Sequence, residues 1–477
     1  MPSLSADQKA LIDGLFDKVP ALDDLGMLFE AAGHELALVG GPVRDALLGR
    51  PGNDWDFATS ATPEQVETLV SSWADALWDM GREFGTIGLH KDDAQFEITT
   101  YRSDTYDPES RKPEVKFGDS LEGDLSRRDF AVNAMAIRIP GREFVDPFGG
   151  LDDLTAALLR TPVTAEQSFG DDPLRMMRAA RFAAQLDFRA ADDVVEAMTR
   201  MADRISIVSA ERIRDEFNKV LMSTQPSVGL RLLVSTGLAE RVIPELPALI
   251  LERDEHHRHK DVYEHSLIVL EQAMALEHRL GDAPDLVMRL SALLHDIGKP
   301  KTRRFVDGGL VTFHHHDVVG AKLVRKRMRT MRYSNDEIDQ VATLVELHLR
   351  FHGYGTGEWT DSAVRRYVRD AGSQIDRLHI LTRADSTTRN QKKANRLQRT
   401  YDALEARIAV LEEQEELQSI RPDLDGNQIM KILGVAPGPE IGKAYKFLLE
   451  LRLENGPMSE DDAATALRAW HPSSKTP

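Results

Sequence analysis

The stretch from Leu38 to Thr59, LVGGPVRDALLGRPGNDWDFAT, constrains this chain more than any other. Glu35 to Gly40 alternates towards an apolar strand that ends in the turn Gly40-Gly41, and a helix follows. Arg50-Pro51-Gly52-Asn53 is a loop by composition, and Asp54-Trp55-Asp56-Phe57-Ala58 then alternates acid with apolar residues. Period two is the period of a strand, so both carboxylates share one face.

Two carboxylates on one face can hold divalent metal. Phosphoryl and nucleotidyl transfer use two such ions about 3.5–4 Å apart to stabilise the attacking and leaving oxygens of an in-line displacement. Glu97, in FEITTYR, points to the face opposite Phe96 and Ile98 and is the candidate third carboxylate. Gly40 and Gly41 let the backbone approach phosphate closely, and the Arg44 guanidinium can fork onto phosphate oxygens. Asp-x-Asp alone is a weak pattern, and a second copy, Asp423-Leu424-Asp425, stands in an expected tail loop.

At 477 residues the chain exceeds what one hydrophobic core usually serves. The expected fold class is α+β: an N-terminal helix within 1–25, capped by Ser5, and then a head over 26–150 with a small mixed sheet. Strands are expected at Thr86–His90 and Gln95–Tyr101, and Thr62-Pro63-Glu64-Gln65 opens a helix. A helical neck is expected over 151–250, a histidine-rich helical domain over 251–400 and a helical tail over 401–477. One long charged helix spans 390–418, and Pro437-Gly438-Pro439 breaks a last helical pair. No run of ~20 apolar residues is present, and the N-terminus lacks a basic start followed by an apolar core, so a cytoplasmic protein without membrane contact is expected. The absence of cysteine excludes disulfides and thiolate-bound metal. A net charge of −18 argues against a protein that coats polyanions, which leaves nucleic-acid contact to local patches.

Four further strings follow the first in order: SRRDFAVNAMAI at 126–137, DPFGGLDDL at 146–154, DDPLRMMRAARFAAQLDF at 171–188 and ERIRDEF at 211–217. Together they resemble the class II tRNA nucleotidyltransferase and bacterial poly(A) polymerase family, a branch of the polymerase-β-like superfamily. The resemblance implies that Asp54 and Asp56 hold Mg²⁺ and that Arg127, Arg128 and Asp129 lie near ribose and triphosphate. It also implies that Asp172 and Arg175 act as an amino-acid template for the incoming base. Base-edge geometry accounts for such a pair: cytosine and adenine each present an amino donor beside an unprotonated ring nitrogen, matching a carboxylate and a guanidinium. Uracil and guanine present the opposite order and would leave desolvated groups mispaired, at about 1–3 kcal/mol each. Asp172-Pro173 also reads as the start of a helix, and the two roles are compatible. Arg178 and Arg181 are expected to line the same nucleotide or to pair with acids of the neck.

Of the 15 histidines, 12 fall within 251–400. The strings VYEHSL, ALLHDIGKP, FHHHDVVGA, VELHLRFH and TRADSTTRN place His265, His295, Asp296, His316 and Asp385 on successive expected helices, and they resemble the HD phosphohydrolase superfamily. Imidazole and carboxylate from one turn can meet ligands from other helices and hold one or two divalent transition metals. His348 and His352, four apart, extend the set towards a second ion, whereas His256, His257 and His259 read as a polar loop and His316-Asp317 as a decoy dipeptide. HD domains attached to this family's polymerases can remove 2′,3′-cyclic phosphate or 2′-phosphate from RNA ends.

The combined expectation is a template-independent enzyme that adds C, C and A to the tRNA 3′-hydroxyl from CTP and ATP with release of pyrophosphate, without an obligate protein partner. Basic clusters at Arg325-Lys326-Arg327, Arg329 and Arg332, and at Lys392, Lys393, Arg396 and Arg399, are candidate phosphate contacts. The alternatives are a poly(A) polymerase, an enzyme adding only CC or only A, or an HD phosphohydrolase with a nucleotide-sensing head.

Overall fold

The computed structural model describes residues 4–79, 81–82, 85–105, 114–118, 120–250, 261–282, 284–306, 310–351, 359–388, 390–415 and 420–471. They form two compact units, Met1–Pro244 and Glu245–Pro477.

The first unit opens with α1 (Ala6–Lys18), where Ser5 and Gln8 form a capping box, and α2 (Ala21–Ala31). The expected boundary at residue 25 therefore falls inside a helix. Leu22, Leu25 and Phe29 of α2 are buried, which commits this helix to the core rather than to a separate N-terminal element. β1 (Leu36–Val39), α3 (Gly41–Leu47), β2 (Asp54–Thr59), α4 (Pro63–Val70), β3 (Ala76–Trp78), β4 (Thr86–Lys91) and β5 (Ala94–Thr100) follow. After the hairpin β6 (Arg102–Thr105) and β7 (Glu114–Phe117) come α5 (Leu121–Ser126), β8 (Ala136–Ile139) and β9 (Glu143–Val145).

Seven of these strands make one mixed sheet in the order β3-β4-β5-β2-β1-β8-β9, in which only β2 and β5 run parallel. β1 does not alternate as expected: Leu36 to Val39 are all buried. Ala37 and Val39 pack with Tyr101, Leu121 and Leu125, and α2 packs on β1 and β8. Covered on both faces, the strand is apolar throughout.

The helical part of this unit comprises α6 (Gly150–Thr155), α7 (Ala165–Asp171), α8 (Leu174–Leu186), α9 (Asp192–Met201), α10 (Ala210–Leu221), α11 (Pro226–Ser235) and α12 (Ala239–Val242), with a two-strand pair, β10 (Leu158–Leu159) and β11 (Arg189–Ala190). α8 packs against α10 and α11.

The second unit contains α13 (Val262–Leu276), α14 (Leu286–Leu294), α15 (Lys299–Thr302), the hairpin β12 (Arg304–Val306) and β13 (Leu310–Thr312), α16 (His316–Thr330), α17 (Asn335–Leu347), α18 (Asp361–Ala371), α19 (Ile375–Asp385) and α20 (Gln391–Glu415). α21 (Gly426–Leu433), α22 (Pro439–Asn455) and α23 (Glu460–Trp470) enclose a small separate core around Ile429, Leu448 and Leu467. The second Asp-x-Asp is structural: Asp425 caps α21 in a capping box and Asp423 lies 3.6 Å from Arg452.

Candidate active site and metal centre

The first site begins with strand periodicity. In β2, Asp54 and Asp56 are exposed while Trp55 and Phe57 are buried, and parallel pairing with β5 sets Asp56 directly opposite Glu97. The three carboxylates line one cleft of about 1260 Å³ in the first unit. Burial raises the Asp56 pKa; Arg128 opposes the rise, and Glu97 and Asp54 add to it. Carboxylates that push up a neighbour's pKa favour a cation between them, so the donor set fits a hard divalent ion.

Cations from the surrounding helices line the rest of the cleft, among them Arg127, Arg128, Arg175, Arg178 and Arg181. Asp124, 1% exposed, sets two of them: it accepts from Arg127 Nη2 at 2.6 Å and from Arg128 Nη2 at 3.3 Å. Gly40 has φ +76°, and a Cβ there would lie 2.7 Å from Arg128 Nη1, so only glycine allows the guanidinium this close to the turn. Gly41 lines the same turn.

A buried relay joins α3 to α8. Arg44 forks onto its neighbour Asp45 at 2.8 and 2.9 Å and donates from Nη1 to Asn133 Oδ1 at 2.5 Å. Asn133 Nδ2 donates to Asp129 Oδ1 at 3.0 Å, and Arg178 Nε donates to Asp129 Oδ2 at 2.7 Å. The bidentate edge expected to meet phosphate is therefore taken by Asp45, although Arg44 still lines the cleft. Asp129 pairs with Arg178 and not with Arg128. Burial raises the Asp129 pKa, but Arg178 and Asn133 outweigh it and hold the carboxyl well below its ordinary range.

Arg181 donates to Glu216 at 3.2 Å, so Arg178 and Arg181 both pair with acids and line the cleft. Burial, and then Arg178, push the Arg181 pKa down to about 10. Phe182 lies under three guanidinium groups, those of Arg44, Arg178 and Arg181, at 5.3, 5.5 and 4.3 Å.

Asp172 stands immediately before Pro173 and α8. Its Oδ1 accepts from Leu174 N at 3.0 Å and its Oδ2 from Arg212 at 3.1 Å. Arg175 donates from Nη1 to Ser168 Oγ at 2.8 Å and from Nη2 to the Arg127 carbonyl. A carboxylate offers about four lone-pair sites and a guanidinium five N–H groups, so each retains capacity for a base edge.

The second site lies wholly in the second unit. His265, His295 and Asp385 form one triad and Asp296, His316 and His348 another, each with ligand atoms within 4.8 Å of one another. His295 Nε2 is 3.2 Å from Asp296 and 3.3 Å from His265 Nε2. His295, His316 and His348 each donate from Nδ1 to a carbonyl one turn back, at 2.9, 2.8 and 2.6 Å, which turns each Nε2 into the cluster, where it can ligate whenever it is unprotonated. His348 Nε2 is buried without a hydrogen-bond partner. Burial, and then His295, push the His348 pKa down to about 3, which keeps it in the neutral, ligating form. Burial lowers the His295 pKa, but Asp296 and Asp385 outweigh it and push it up to about 10. A divalent ion satisfies both demands at once, so the residues fit a metal. A Cβ on Gly298 would lie 2.0 Å from the His316 carbonyl, and this close approach seats α16 on the His295-Asp296 turn. α17 ends at Leu347, and His352, like His256, His257 and His259, lies outside the described residues.

Family models match residues 36–160 (Poly A polymerase head domain), 187–249 (probable RNA and SrmB-binding site of polymerase A) and 262–390 (HD domain). An A-adding tRNA nucleotidyltransferase from Deinococcus radiodurans is 32% identical over 443 residues, 91% of this chain and 95% of that protein. The chain belongs to the tRNA nucleotidyltransferase and poly(A) polymerase family. This nucleotidyltransferase is also 40% identical over 237 residues to the CCA-adding enzyme of Bacillus subtilis, but the match spans 57% of that enzyme's length. Among solved structures, the Bacillus stearothermophilus CCA-adding enzyme in complex with CTP superimposes with a TM-score of 0.65 at 25% identity, covering 95% of this chain and 97% of that one. The Thermotoga maritima CCA-adding enzyme complexed with tRNA shares the fold at TM-score 0.61 and 18% identity. Among the described residues no helix is long and apolar enough to cross a membrane.

Sequence reasoning missed three supports of the nucleotidyltransferase cleft, Asp124, Asn133 and Glu216, and read the Arg44-Asp45 pair as triphosphate-holding without foreseeing that Asp45 takes the Arg44 fork. Asp124 had a usable signal, since it stands three and four residues before Arg127 and Arg128. Asn133 had another, as a lone amide in the apolar run Phe130 to Ile137, where burial demands hydrogen bonds. Glu216 carried none that separates it from surface acids.

Proposed function

We propose that this nucleotidyltransferase adds C, C and A to the 3′ end of tRNA from CTP and ATP without a nucleic-acid template. The observation that carries the reading is that Asp172 and Arg175, a base-edge acceptor and donor, line the same cleft as Asp54, Asp56 and Glu97. In this reading Asp54 and Asp56, assisted by Glu97, hold Mg²⁺, which when bound activates the ribose 3′-hydroxyl and neutralises the leaving pyrophosphate. Arg128, held by Asp124 beside the Gly40 turn, meets triphosphate oxygens, and Arg127, Arg178 and Arg181 raise the positive potential around them. Asp129 and Asn133 hold Arg178 and Arg44 in register. Asp172 accepts from the exocyclic amine of C or A and Arg175 donates to the adjacent ring nitrogen.

Addition of A alone is the second reading, favoured by the Deinococcus relative, which matches nearly the whole chain. Purified protein with Mg²⁺ and tRNA transcripts ending before CCA, after C and after CC, offered CTP and ATP separately and together, separates the two. The first reading expects C, C and A in turn. Incorporation only of A, and only after CC, replaces it with the second, and long A tracts replace both with poly(A) synthesis.

For the second unit, we infer a phosphohydrolase acting on RNA ends through a divalent transition metal held by His265, His295, Asp296, His316, Asp385 and His348. The three Nε2 atoms turned into one cluster by these Nδ1 contacts support it. We infer that the chain acts in the cytoplasm, a reading that a tRNA substrate supports.

A further inference from the structure

We propose that the metal centre of the second unit takes its substrate as a single-stranded RNA end, held by two elements that leave directly from the metal-binding residues: the hairpin carrying Phe305 and the first turns of α20. The inference rests on the phosphohydrolase reading above and adds a selection for polynucleotide over mononucleotide.

The hairpin occupies the chain between two ligands. Asp296 holds Lys299 at 2.8 Å, α15 follows at once, and β12 and β13 lead back to His316. Phe305, 72% exposed, is the most exposed large apolar side chain among the described residues. The Arg303 guanidinium sits 4.9 Å from its ring centroid, with a buried Nε that lacks a hydrogen-bond partner. Arg304 is exposed beside them. An exposed ring flanked by guanidinium groups is the arrangement on which unpaired bases stack, with phosphate as the counter-charge.

The second element starts from the other end of the centre. Asp385 closes α19, and Tyr401 returns α20 to it, its hydroxyl 2.7 Å from Ser386 Oγ and donating to the Thr382 carbonyl at 3.1 Å. Between these tethers lie Lys392, Lys393, Arg396 and Arg399, and none of the four forms a salt bridge with a described residue. Lys392, Arg396 and Arg399 recur at i, i+4 and i+7, one face of the helix. The other face is spent internally, where Arg383 donates to Gln398 at 2.6 Å and to Asp402 at 2.7 Å. In the basic run at 325–332, by contrast, Glu245 takes Arg327 and Asp339 takes Arg325. On a chain of net charge −18, unpaired cations grouped beside a phosphate-hydrolysing centre match a polyanion.

The test uses the full chain, metal-loaded, with a short single-stranded RNA ending in 2′,3′-cyclic phosphate and, in parallel, cytidine 2′,3′-cyclic monophosphate. Two variants are compared with the wild type: Phe305→Ala with Arg304→Ala, and Lys392→Ala, Arg396→Ala, Arg399→Ala. A readout independent of turnover is photo-crosslinking of the same RNA carrying a terminal 4-thiouridine, with the sites mapped by mass spectrometry. The proposal expects kcat/KM on RNA to fall about tenfold or more in each variant, with a shallower salt dependence, while mononucleotide hydrolysis stays within about twofold. It expects crosslinks on the hairpin and on the first turns of α20. Equal losses on both substrates, no loss on RNA, or crosslinks elsewhere overturn it. Absence of hydrolysis on either substrate, with crosslinks at the two elements, removes the phosphohydrolase reading and leaves the RNA-binding surface standing.

Discussion

Asp129→Asn isolates the charge at the centre of the relay. The carboxylate is 7% exposed and accepts from Phe130 N at 2.8 Å, Asn133 Nδ2 at 3.0 Å and Arg178 Nε at 2.7 Å. The amide has one acceptor oxygen, so it either abandons Phe130 and Asn133 or turns its NH₂ towards the Arg178 guanidinium. Hydrogen bonds to charged groups contribute about 1.5–3 kcal/mol each. The Arg178 side chain is 33% exposed, and water recovers part of that loss, which leaves about 2–4 kcal/mol. For a unit of this size that is a fall of about 4–16 °C in Tm. Hydrogen exchange under urea, read on peptides of α8 with α13 to α19 as internal control, assigns the loss to the first unit. The pH dependence follows from the lowered Asp129 pKa. A lowered folded-state pKa supplies stability that is full above the unfolded value of about 3.9 and is lost as pH falls through the folded one. The gap between wild type and variant is thus constant from about pH 5 to 8 and closes below about pH 4. A gap under about 0.5 kcal/mol, a gap that widens on acidification, or additivity with Arg178→Gln refutes the reasoning.

Gly40→Ala is expected to cost about 1–3 kcal/mol of stability, from a side chain at φ +76° and a Cβ 2.7 Å from Arg128 Nη1. It is also expected to weaken CTP binding about fivefold or more by displacing that guanidinium, as calorimetry would show. His348→Ala should lower metal affinity in the second unit by at least the about 10–100-fold that loss of a supporting group costs. Metal analysis after dialysis reads this, and nucleotide addition stays within about twofold. Chelation with EDTA should stop nucleotide addition and excess Mg²⁺ restore it, whereas addition that continues in the chelator excludes the carboxylate cluster as a cation site.

The carboxylate site was legible because strand periodicity is local: Asp54, Asp56 and Glu97 each alternate with buried apolar neighbours, and parallel pairing does the rest. Long-range pairing was not. Arg44 stood in a sequence suited to phosphate, yet Asp45 beside it and Asn133, far along the chain, take its donors. The pattern from Glu35 to Gly40 predicts alternation in β1, but cover on both faces decides burial there, and that cover comes from α2 and α5, which no local pattern announces. Motif order located the histidines and aspartates that cluster in the second unit, whereas the carbonyls that orient the imidazoles belong to backbone geometry and leave no trace in residue type. The two Asp-x-Asp copies are indistinguishable as strings. One lies on a sheet face and the other caps a helix, and only the surrounding sequence separated them.

That contrast supplies the most direct test of the account. The rate of AMP addition to a tRNA transcript ending in CC is measured for the wild type, for Asp54→Asn with Asp56→Asn, and for Asp423→Asn with Asp425→Asn, in excess Mg²⁺. The account predicts a fall of about a thousandfold or more in the first variant and a change within about twofold in the second, since asparagine still caps a helix and the one ion pair lost, largely buried, lies within the second unit. A first variant that retains its rate contradicts the assignment of the metal-binding centre to β2, and so does an equal loss in both variants.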